Sequence, residues 1–266
     1  MTILASWLGA PFTEWATAGR SARIELLLAS YGATLAMAAP AAAAPATPTL
    51  VLNTSFFAPI TAPEHDGVLD LVYAELFRRV GIKVEIQPSS AERGLLNANS
   101  GVDDGDVARV HGIDKTYQNL VRVPEPVMYY QMVAFTRNAN FTVAGADSLK
   151  PYDVGILTGW KILERTIVGT RSLVKMETGR QLFAMLDKER IDVAVIEKLE
   201  GMHFVKTMGL QGIKILQPAY VEGDWFLYLN KKHEKLVPAL AAELRKMKQD
   251  GSYQRLVDSV MHRYAK

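Results

Sequence analysis

PSSAERGLLNANSGVDDGDVARV, residues 88–110, contains in order the signals of a loop, a helix, a turn and a buried strand. Ser89 and Glu92 have the spacing of a capping box, so we expect a helix to begin near Ala91. The Asn-Ser-Gly run at residues 99–101 is typical of a helix end, because glycine readily adopts the left-handed conformation that closes a helix. The apolar run after the following aspartates predicts a short strand.

The same stretch carries two arginines, Arg93 and Arg109, beside several carboxylates. Arg93 falls in the first turn of the predicted helix, where a cation opposes the helix dipole, so helix stability does not explain it. Arg109 lies in an apolar run, where a guanidinium is costly to bury without an anionic partner. Two interpretations stay open: each arginine pairs with a nearby aspartate, or one or both hold an anionic group of a ligand.

The composition argues against several classes of protein. The 266 residues contain 30 Lys and Arg against 28 Asp and Glu, a net charge of +2, which does not favour nucleic acid as a partner. The absence of cysteine excludes disulfides, thiolate metal sites, a cysteine nucleophile and a lipid anchor on an N-terminal cysteine. The length suits one or two domains.

The beginning of the chain has the three-part pattern of a secretory signal. Arg20 and Arg23 precede an uncharged run, residues 26–39, and then a stretch rich in Ala and Pro, residues 40–49. The uncharged run is too short to span a bilayer as a helix. We therefore expect residues 1–46 to be a signal peptide that is removed on export, which leaves a soluble periplasmic protein without a lipid anchor.

Details of this N-terminal segment have alternatives. Cleavage fits after Ala43 or after Ala46. The residues before Arg20 fit either a start codon assigned too far upstream or a genuine extension. The other interpretation of the apolar run is a buried helix followed by an Ala/Pro linker.

Beyond residue 48, segments with strand and helix periodicity alternate, which indicates largely parallel sheets covered by helices. Breaks in the pattern near residues 138 and 220 suggest two lobes. In open α/β sheets, ligands bind outside the carboxyl ends of the strands. The candidate site residues at such ends are Phe56, Phe57, Arg109, Thr158, Gly159, Trp160 and Glu197.

No sequence motif requires a chemical step. The chain lacks GxSxG, HExxH, GxGxxG and the phosphate-binding GxxxxGKS or GxxxxGKT, and its five histidines do not have the spacing of metal ligands. No pair of carboxylates stands out as a general acid and base. We therefore expect a binding protein rather than an enzyme, with no catalytic residue, metal or cofactor.

Several segments together resemble a known family in their order and spacing. They are GVLDLVYAELFRRVGIKVEI (67–86), RGLLNANSGVDDGD (93–106), YDVGILTG (152–159), GRQLFAMLDKERIDVAVIE (179–197) and WFLYLNKKHEKLVPALAAELRKMKQDGSYQRLV (225–257). Over about residues 49–264 the chain resembles the solute-binding proteins of bacterial amino-acid-type ABC importers (family 3, with the periplasmic binding protein type II fold). The Lys-x-Asp-Gly-Ser-Tyr pattern at residues 248–253 is the most specific part of the resemblance.

The resemblance implies an α/β protein of two lobes, each a mixed sheet flanked by helices, joined at a hinge of two crossing segments. Lobe one would comprise residues 49–136 and 222–266, and lobe two residues 138–218. The lobes would close over a small solute, an amino acid or a related carboxylate. The protein, a monomer, would then deliver this solute to an ABC permease in the inner membrane.

The resemblance also implies roles for charged residues. Family members usually hold the carboxylate of an amino acid with an arginine at a position that falls near Tyr117, where this chain has none. Arg109, helped by Arg93, would take over that role. Glu197 matches the family's aspartate for the ammonium group; the alternative is a carboxylate that stabilises the start of a helix.

The other predicted site residues are apolar or act through the backbone. N–H groups of Thr158, Gly159 and Trp160, where a helix begins, would hold a second anionic end of the solute. Trp160 would stack on a flat ligand or shield the cleft. Phe56, Phe57 and Tyr129 would wall the cleft, although we expect one phenylalanine to be core, and plain strand packing is the alternative for Tyr129.

Two other functions stay open at this point. A receptor that senses a solute for a membrane kinase would have the same sequence features as a transport protein. A few proteins of this fold are dehydratases that act on prephenate-like acids, but such an enzyme needs a placed general acid, and none stands out in the sequence.

Overall fold

The structure is a computed structural model, and it describes residues 48–265. The predicted signal peptide, residues 1–46, lies outside the described residues, together with its cleavage sites. Within residues 48–265, no helix is both long enough and apolar enough to cross a membrane.

Strands and helices alternate along the described chain, as the periodicity predicts. The strands are β1 (Thr49–Thr54), β2 (Lys83–Pro88), β3 (Gly105–Val110), β4 (Leu120–Arg122), β5 (Met128–Thr136), β6 (Asp153–Leu157), β7 (Ser172–Met176), β8 (Val193–Glu197) and β9 (Lys214–Asn230). The helices are α1 (Val68–Arg79), α2 (Ala91–Ser100), α3 (Lys161–Thr166), α4 (Gly179–Asp187), α5 (Lys198–Thr207), α6 (Val237–Gln249) and α7 (Ser252–Ala265).

The predicted mixed α/β fold with flanking helices is confirmed. The strand order is β2-β1-β3-β9-β5-β8-β6-β7, and β4 pairs separately with β9. The neighbours β1–β2, β1–β3, β6–β7 and β6–β8 are parallel, whereas every pair that involves β5 or β9 is antiparallel. The two expected sheets are therefore joined through β5 and β9 into one hydrogen-bonded ladder, and these two strands are the crossing segments.

For the description of the site we define two halves. The first half contains β1–β4, α1, α2, α6 and α7, and the second half contains β6–β8 and α3–α5. In the first half α1, α6 and α7 pack against one another, and in the second half α4 packs against α5, β6 and β8. The assignment of residues 49–136 and 222–266 to one lobe and 138–218 to the other stays a prediction.

One predicted connection is part of a strand. Residues 218–223 contain a proline and a glycine and indicate a linker between two short strands, but they lie inside the 17-residue β9. The reason is tertiary pairing: β5 runs antiparallel to this segment, with Tyr130 opposite Gly223 and Met132 opposite Val221. The ladder shifts register after Met132, close to the proline, and such irregularities are where strands accept proline.

Helix α2 begins at the predicted residue but with a different cap. Its N-cap is Ser90, without a side-chain capping hydrogen bond, and Gly101 ends it with a left-handed φ of 83°. The predicted capping box between Ser89 and Glu92 does not form, because the Glu92 carboxylate bonds to Lys161 of α3 instead. Ser89 therefore does not cap the helix.

Strand β3 contains a β-bulge. Asp106 lies opposite Tyr228 and Arg109 lies opposite Phe226, so three steps along β3 match two along β9. Side chains in a regular strand alternate between faces, which would separate Asp106 from Arg109. The extra residue cancels that separation and allows the two side chains to meet.

Candidate functional site

A cavity of about 360 Å³ lies where segments of the two halves meet. In the first half it is lined by the residues after β1 and by the turn from β2 into α2. In the second half it is lined by the residues that follow β6 and β7. The lining residues are Ser55, Phe57, Pro88, Ser89, Ser90, Ala91, Arg93, Leu157, Thr158, Trp160, Glu177 and Thr178. Its size is within the range of small-molecule binding sites.

Arg93 is the cation of this cavity. It projects from the first turn of α2, and its side chain is exposed, with no hydrogen bond or ion pair to any described residue. The helix itself is fixed at both ends: Asn53 donates a hydrogen bond of 2.9 Å to the carbonyl of Gly94, and Asn230 donates one of 2.8 Å to the carbonyl of Ala98. Helix α2, which these two hydrogen bonds fix in position, therefore presents the unpaired guanidinium of Arg93 to the cavity.

Two serine hydroxyls of the first half lack partners. Ser55 follows β1, and the backbone N–H of Ser89 donates a hydrogen bond of 2.7 Å to the carbonyl of Thr54. The Oγ atoms of Ser55 and Ser89 are buried and make no hydrogen bond within residues 48–265. Buried polar atoms are normally satisfied, and both of these hydroxyls belong to residues that line the cavity.

The wall from the second half is held by main-chain and capping contacts. Thr178 is the N-cap of α4: its Oγ1 accepts a hydrogen bond of 3.2 Å from the backbone N–H of Gln181, and its own backbone N–H donates one of 3.1 Å to Oε1 of Gln181. The N–H of Thr158 donates to the carbonyl of Met176 at 2.9 Å. Glu177 lies between these fixed points, at the carboxyl end of β7. It is exposed and makes no ion pair with a described residue.

Direct contacts between the halves flank the cavity. Gly159, with a φ of 82°, lies so close to the start of α2 that an added Cβ would be 2.5 Å from the backbone nitrogen of Glu92. The Lys161 ammonium bonds to the Glu92 carboxylate. On the other side, Oε1 of Glu200 in α5 accepts a hydrogen bond of 2.5 Å from the backbone N–H of Phe57. The halves therefore meet through polar contacts on both sides of the cavity, and Oε2 of Glu200 is buried without a hydrogen bond to any residue within 48–265.

Arg109 has a different environment from the predicted one. Its guanidinium is 7% exposed and forms an ion pair of 2.6 Å with Asp106 and a hydrogen bond of 2.9 Å to the carbonyl of Ala91. It does not line the 360 Å³ cavity and reaches only a small void of about 30 Å³ beside Trp160. This geometry does not favour the predicted role as the principal carboxylate holder, because the bulge in β3 gives this arginine a partner within the protein.

Glu197 also has an internal role. Its carboxylate is 2% exposed and caps α5, because Oε2 accepts a hydrogen bond of 3.0 Å from the backbone N–H of Glu200. Burial raises the pKa of Glu197 to about 7, although backbone N–H groups of the helix start oppose the shift. Burial, and then the neighbouring Glu197, raise the pKa of Glu200 well above its ordinary value. Glu197 therefore stabilises a helix start, and it does not line the cavity as the resemblance implied.

The predicted aromatic walls divide between the cavity and the core. Phe57 is 40% exposed and lines the cavity, and Trp160 lines it while mostly buried. Phe56 packs in the core, with its ring 4.4 Å from that of Trp225 and 5.7 Å from that of Trp160. Tyr129 is 54% exposed and lies outside the cavity, because its strand directs it toward solvent.

The backbone N–H groups predicted to hold an anion are occupied within the protein. The N–H of Gly159 donates to Oε1 of Glu164 at 3.1 Å, and that of Trp160 donates to the carbonyl of Leu157 at 3.4 Å. The N–H of Thr158 is taken by β7, as described above. These bonds have a local cause, because α3 is only six residues long and Glu164 folds back over its start. The Thr158 side chain still lines the cavity.

Several cavity residues were missed by the sequence argument. The spacing of Ser89 and Glu92 indicates a capping box rather than a ligand contact, and Ser55, directly before the aromatic pair Phe56 and Phe57, carries no motif. Glu177 follows β7 at its carboxyl end, where the rule that placed Phe56, Thr158 and Glu197 near a site applies equally. The position of Glu177 directly after a strand is therefore a signal in the sequence that places it near a site.

Comparisons with known proteins agree with this architecture. No protein-family model matches the chain. An uncharacterized protein of Shewanella oneidensis is 29% identical over 193 residues, which are 70% of this chain and 73% of that protein. Among solved structures, an amino acid ABC transporter substrate-binding protein of Streptococcus pneumoniae, AbpA bound to L-arginine, has a TM-score of 0.67 at 16% identity and covers 82% of this chain and 96% of its own.

A second solved structure comes from a different kind of protein. A histidine kinase sensor domain with similarity to periplasmic binding proteins has a TM-score of 0.69 at 15% identity, and covers 80% of this chain and 96% of its own. At such low identities a structural likeness shows the fold alone. The chain thus has the periplasmic binding protein type II fold, as its resemblance to that family predicted.

Proposed function

We propose that this protein is an exported receptor that binds a small, carboxylate-bearing solute in the cavity between its two halves. The observation that carries the proposal is the unpaired guanidinium of Arg93 in a cavity of about 360 Å³, whose lining also includes Ser55 and Ser89, two residues with unsatisfied hydroxyls. A carboxylate offers both the negative charge and the lone pairs that these groups lack, and a planar guanidinium binds it through two parallel hydrogen bonds.

The position of the cavity supports a receptor that closes on its solute. The walls come from both halves, and only β5 and β9 run through the middle of the sheet between them. A ligand that touches both walls stabilises the closed arrangement over any open one by its difference in affinity for the two. The lobes would be residues 49–136 with 222–266, and residues 138–218, and the closed protein would be recognised by an ABC permease in the inner membrane.

A second candidate is a receptor that signals rather than transports. The likeness to a histidine kinase sensor domain supports it, because that structure superposes as well as the transport proteins do. Both candidates use the same cavity and the same Arg93. Uptake of the labelled solute by cells with and without this gene distinguishes them, since only the transport function predicts a loss of uptake.

The test begins by identifying a ligand. We expect small molecules that co-purify with the protein to include a carboxylate, and a panel of amino acids and organic acids to contain one that raises the melting temperature, because ligand at 100 times Kd stabilises by about 2.7 kcal/mol. Arg93→Ala should then weaken binding at least tenfold in a calorimetric titration, about 1.4 kcal/mol.

Arg180→Ala is the matched control. Arg180 is also an exposed arginine in the first turn of a helix, α4, without an ion pair to a described residue, but it does not line the cavity. Its removal should leave affinity within twofold of the wild type. Wild-type affinity in Arg93→Ala, or equal losses in both variants, would contradict the proposed site.

A further inference from the structure

A buried carboxylate lies at one of the contacts between the two halves. Glu200, in the first turn of α5 in the second half, has no exposed surface and is not among the residues that line the cavity. Its Oε1 accepts the 2.5 Å hydrogen bond from the backbone N–H of Phe57 in the first half, whereas its Oε2 is buried and makes no hydrogen bond within residues 48–265. In the described chain, the donor to this carboxylate therefore comes from the opposite half.

Phe57 meets α5 through its ring as well as through its backbone. The ring lies edge-on to that of Phe204, one turn further along α5, with 5.6 Å between the ring centroids. Phe204 in turn packs against Phe183 of α4, so the other side of this contact belongs to the second half. Separation of the halves removes Phe57 from α5 and opens Glu200 to water. The environment of Glu200 therefore depends on whether the halves are together.

No described cation neutralises Glu200. Within residues 48–265 it forms no ion pair, and the contacting segment of the first half, residues 55–59, has no titratable side chain. Its charged neighbour is Glu197 at the N-cap of α5, a second carboxylate that is only 2% exposed. The other charged or titratable side chains of α5 and of the elements that contact it are Lys198, His203, Lys206, Tyr129, Tyr130, Arg180, Asp187, Tyr253, Arg255, Asp258, His262, Arg263 and Tyr264.

Burial and the neighbouring carboxylate set the protonation of Glu200. Together they raise the pKa of Glu200 well above its ordinary value, against the hydrogen bond from Phe57, which favours the charged form. A carboxyl that opening exposes to water returns toward the ordinary pKa, so the closed arrangement holds a proton that the open one releases. The contribution of this proton to closure is fully present below the ordinary pKa and is lost as the pH rises through the raised one.

We infer that closure of the two halves is coupled to protonation of Glu200, so that the protein binds its solute more tightly as the pH falls. The inference rests on the proposed solute-binding function, because the solute is taken to favour the closed arrangement. Each closure transfers one proton from solvent to the Glu200 carboxylate, and opening returns it. By linkage, the affinity changes by up to about tenfold per pH unit between the two pKa values of Glu200.

The test is isothermal titration calorimetry of the wild type at pH 5.5 and pH 7.5. The probes are L-amino acids with uncharged side chains, lactate, phenyllactate and any carboxylate that co-purifies, provided that the probe has no group that titrates between these pH values. We expect the Kd of a bound probe to rise at least tenfold from pH 5.5 to pH 7.5. Titrations in buffers of different ionisation enthalpy should show an uptake of about one proton per solute bound.

Glu200→Gln isolates the residue responsible. The amide keeps an oxygen that accepts the Phe57 N–H but cannot take up the proton, so Kd should differ by less than twofold between the two pH values, without proton uptake. Glu197→Gln is the matched control, since Glu197 is equally buried but caps its own helix through the N–H of Glu200. It should keep the proton uptake, because Phe57 still covers Glu200. Glu177, the carboxylate that lines the cavity, is present in all three proteins.

A measurement on the wild type alone covers the case in which Glu200→Gln does not fold. The carboxyl carbon of Glu200, followed by NMR, should titrate at a higher pH in the solute-bound protein than in the free protein. Equal titration in both, a Kd independent of pH, or proton uptake that persists in Glu200→Gln would overturn this inference and leave the proposed function standing. If no probe binds the wild type at either pH, the proposed function fails and the inference fails with it.

Discussion

The two arginines of residues 88–110 stand in opposite situations. Arg109 is buried and bonded to Asp106 and to a backbone carbonyl, whereas Arg93 is exposed to a cavity and has no partner within the described residues. Before the structure, Arg109 was the stronger candidate, because a guanidinium in an apolar run needs an anion. The comparison teaches that a carboxylate of the protein itself can supply this anion. An arginine is available to a ligand only where its hydrogen-bond donors have no partner within the protein.

The largest expected effect tests the buried member of this pair. Arg109→Ala leaves the carboxylate of Asp106 buried and unpaired, so we expect a loss of about 3–5 kcal/mol in the free energy of unfolding, measured by urea denaturation. Arg93→Ala should change that free energy by less than about 0.5 kcal/mol, as exposed substitutions usually do. An Arg109→Ala variant as stable as the wild type, with weakened solute binding, would reverse the roles assigned to the two arginines.

The buried carboxylate of Glu197, unlike an exposed one, makes the stability of the protein depend on pH. The pKa of Glu197 is about 7 in the folded protein, against 4.5 for an ordinary glutamate. The folded state therefore keeps a proton that the unfolded chain releases between these values. The stabilisation that this proton on Glu197 provides is fully present below pH 4.5 and is lost as the pH rises through 7. The free energy of unfolding changes by about 3 kcal/mol over this range.

This dependence is measured by denaturation of the wild type and Glu197→Gln at pH 5 and pH 8. The variant should lose less stability than the wild type between the two pH values, although the buried Glu200 continues to contribute in the same direction. Identical pH dependence in the two proteins would show that Glu197 is solvated in the folded state.

The third prediction concerns the contact between the halves. Gly159→Ala places a Cβ 2.5 Å from the Glu92 nitrogen at a φ of 82°, so we expect a loss of stability of about 1–3 kcal/mol together with weaker solute binding. Gly112→Ala is the control, because Gly112 has a φ of 85° but no atom within 4 Å of an added Cβ. Thermal denaturation and titration of both variants separate backbone strain from the contact. Equal effects in the two would argue that the halves do not meet at Gly159.

The sequence predicted the fold well because local signals and tertiary structure agree along most of the chain. Helix α2 begins at Ala91 and closes at Gly101, the ends that the sequence predicts, although Ser90 rather than Ser89 is its N-cap. The predicted linker at residues 218–223 failed because strand pairing with β5 overrides the local preference of proline and glycine. Such pairing between distant segments is not encoded in the segment itself.

The site was less predictable for a related reason. Arg109 meets Asp106 only because of a bulge in β3. The capping box between Ser89 and Glu92 is absent because Glu92 forms an ion pair with Lys161 in the other half. Neither event leaves a mark in the local sequence. The position of Glu177 at the carboxyl end of β7 does leave such a mark, and a uniform use of the strand-end rule finds it.

The most direct test of this account is a crystal structure of the protein with the carboxylate solute identified by the ligand screen. We predict that the carboxylate lies in the cavity within hydrogen-bonding distance of the Arg93 guanidinium and the hydroxyls of Ser55 and Ser89, while Arg109 keeps its ion pair with Asp106. A solute bound elsewhere, or one held by Arg109 after separation from Asp106, would contradict the account.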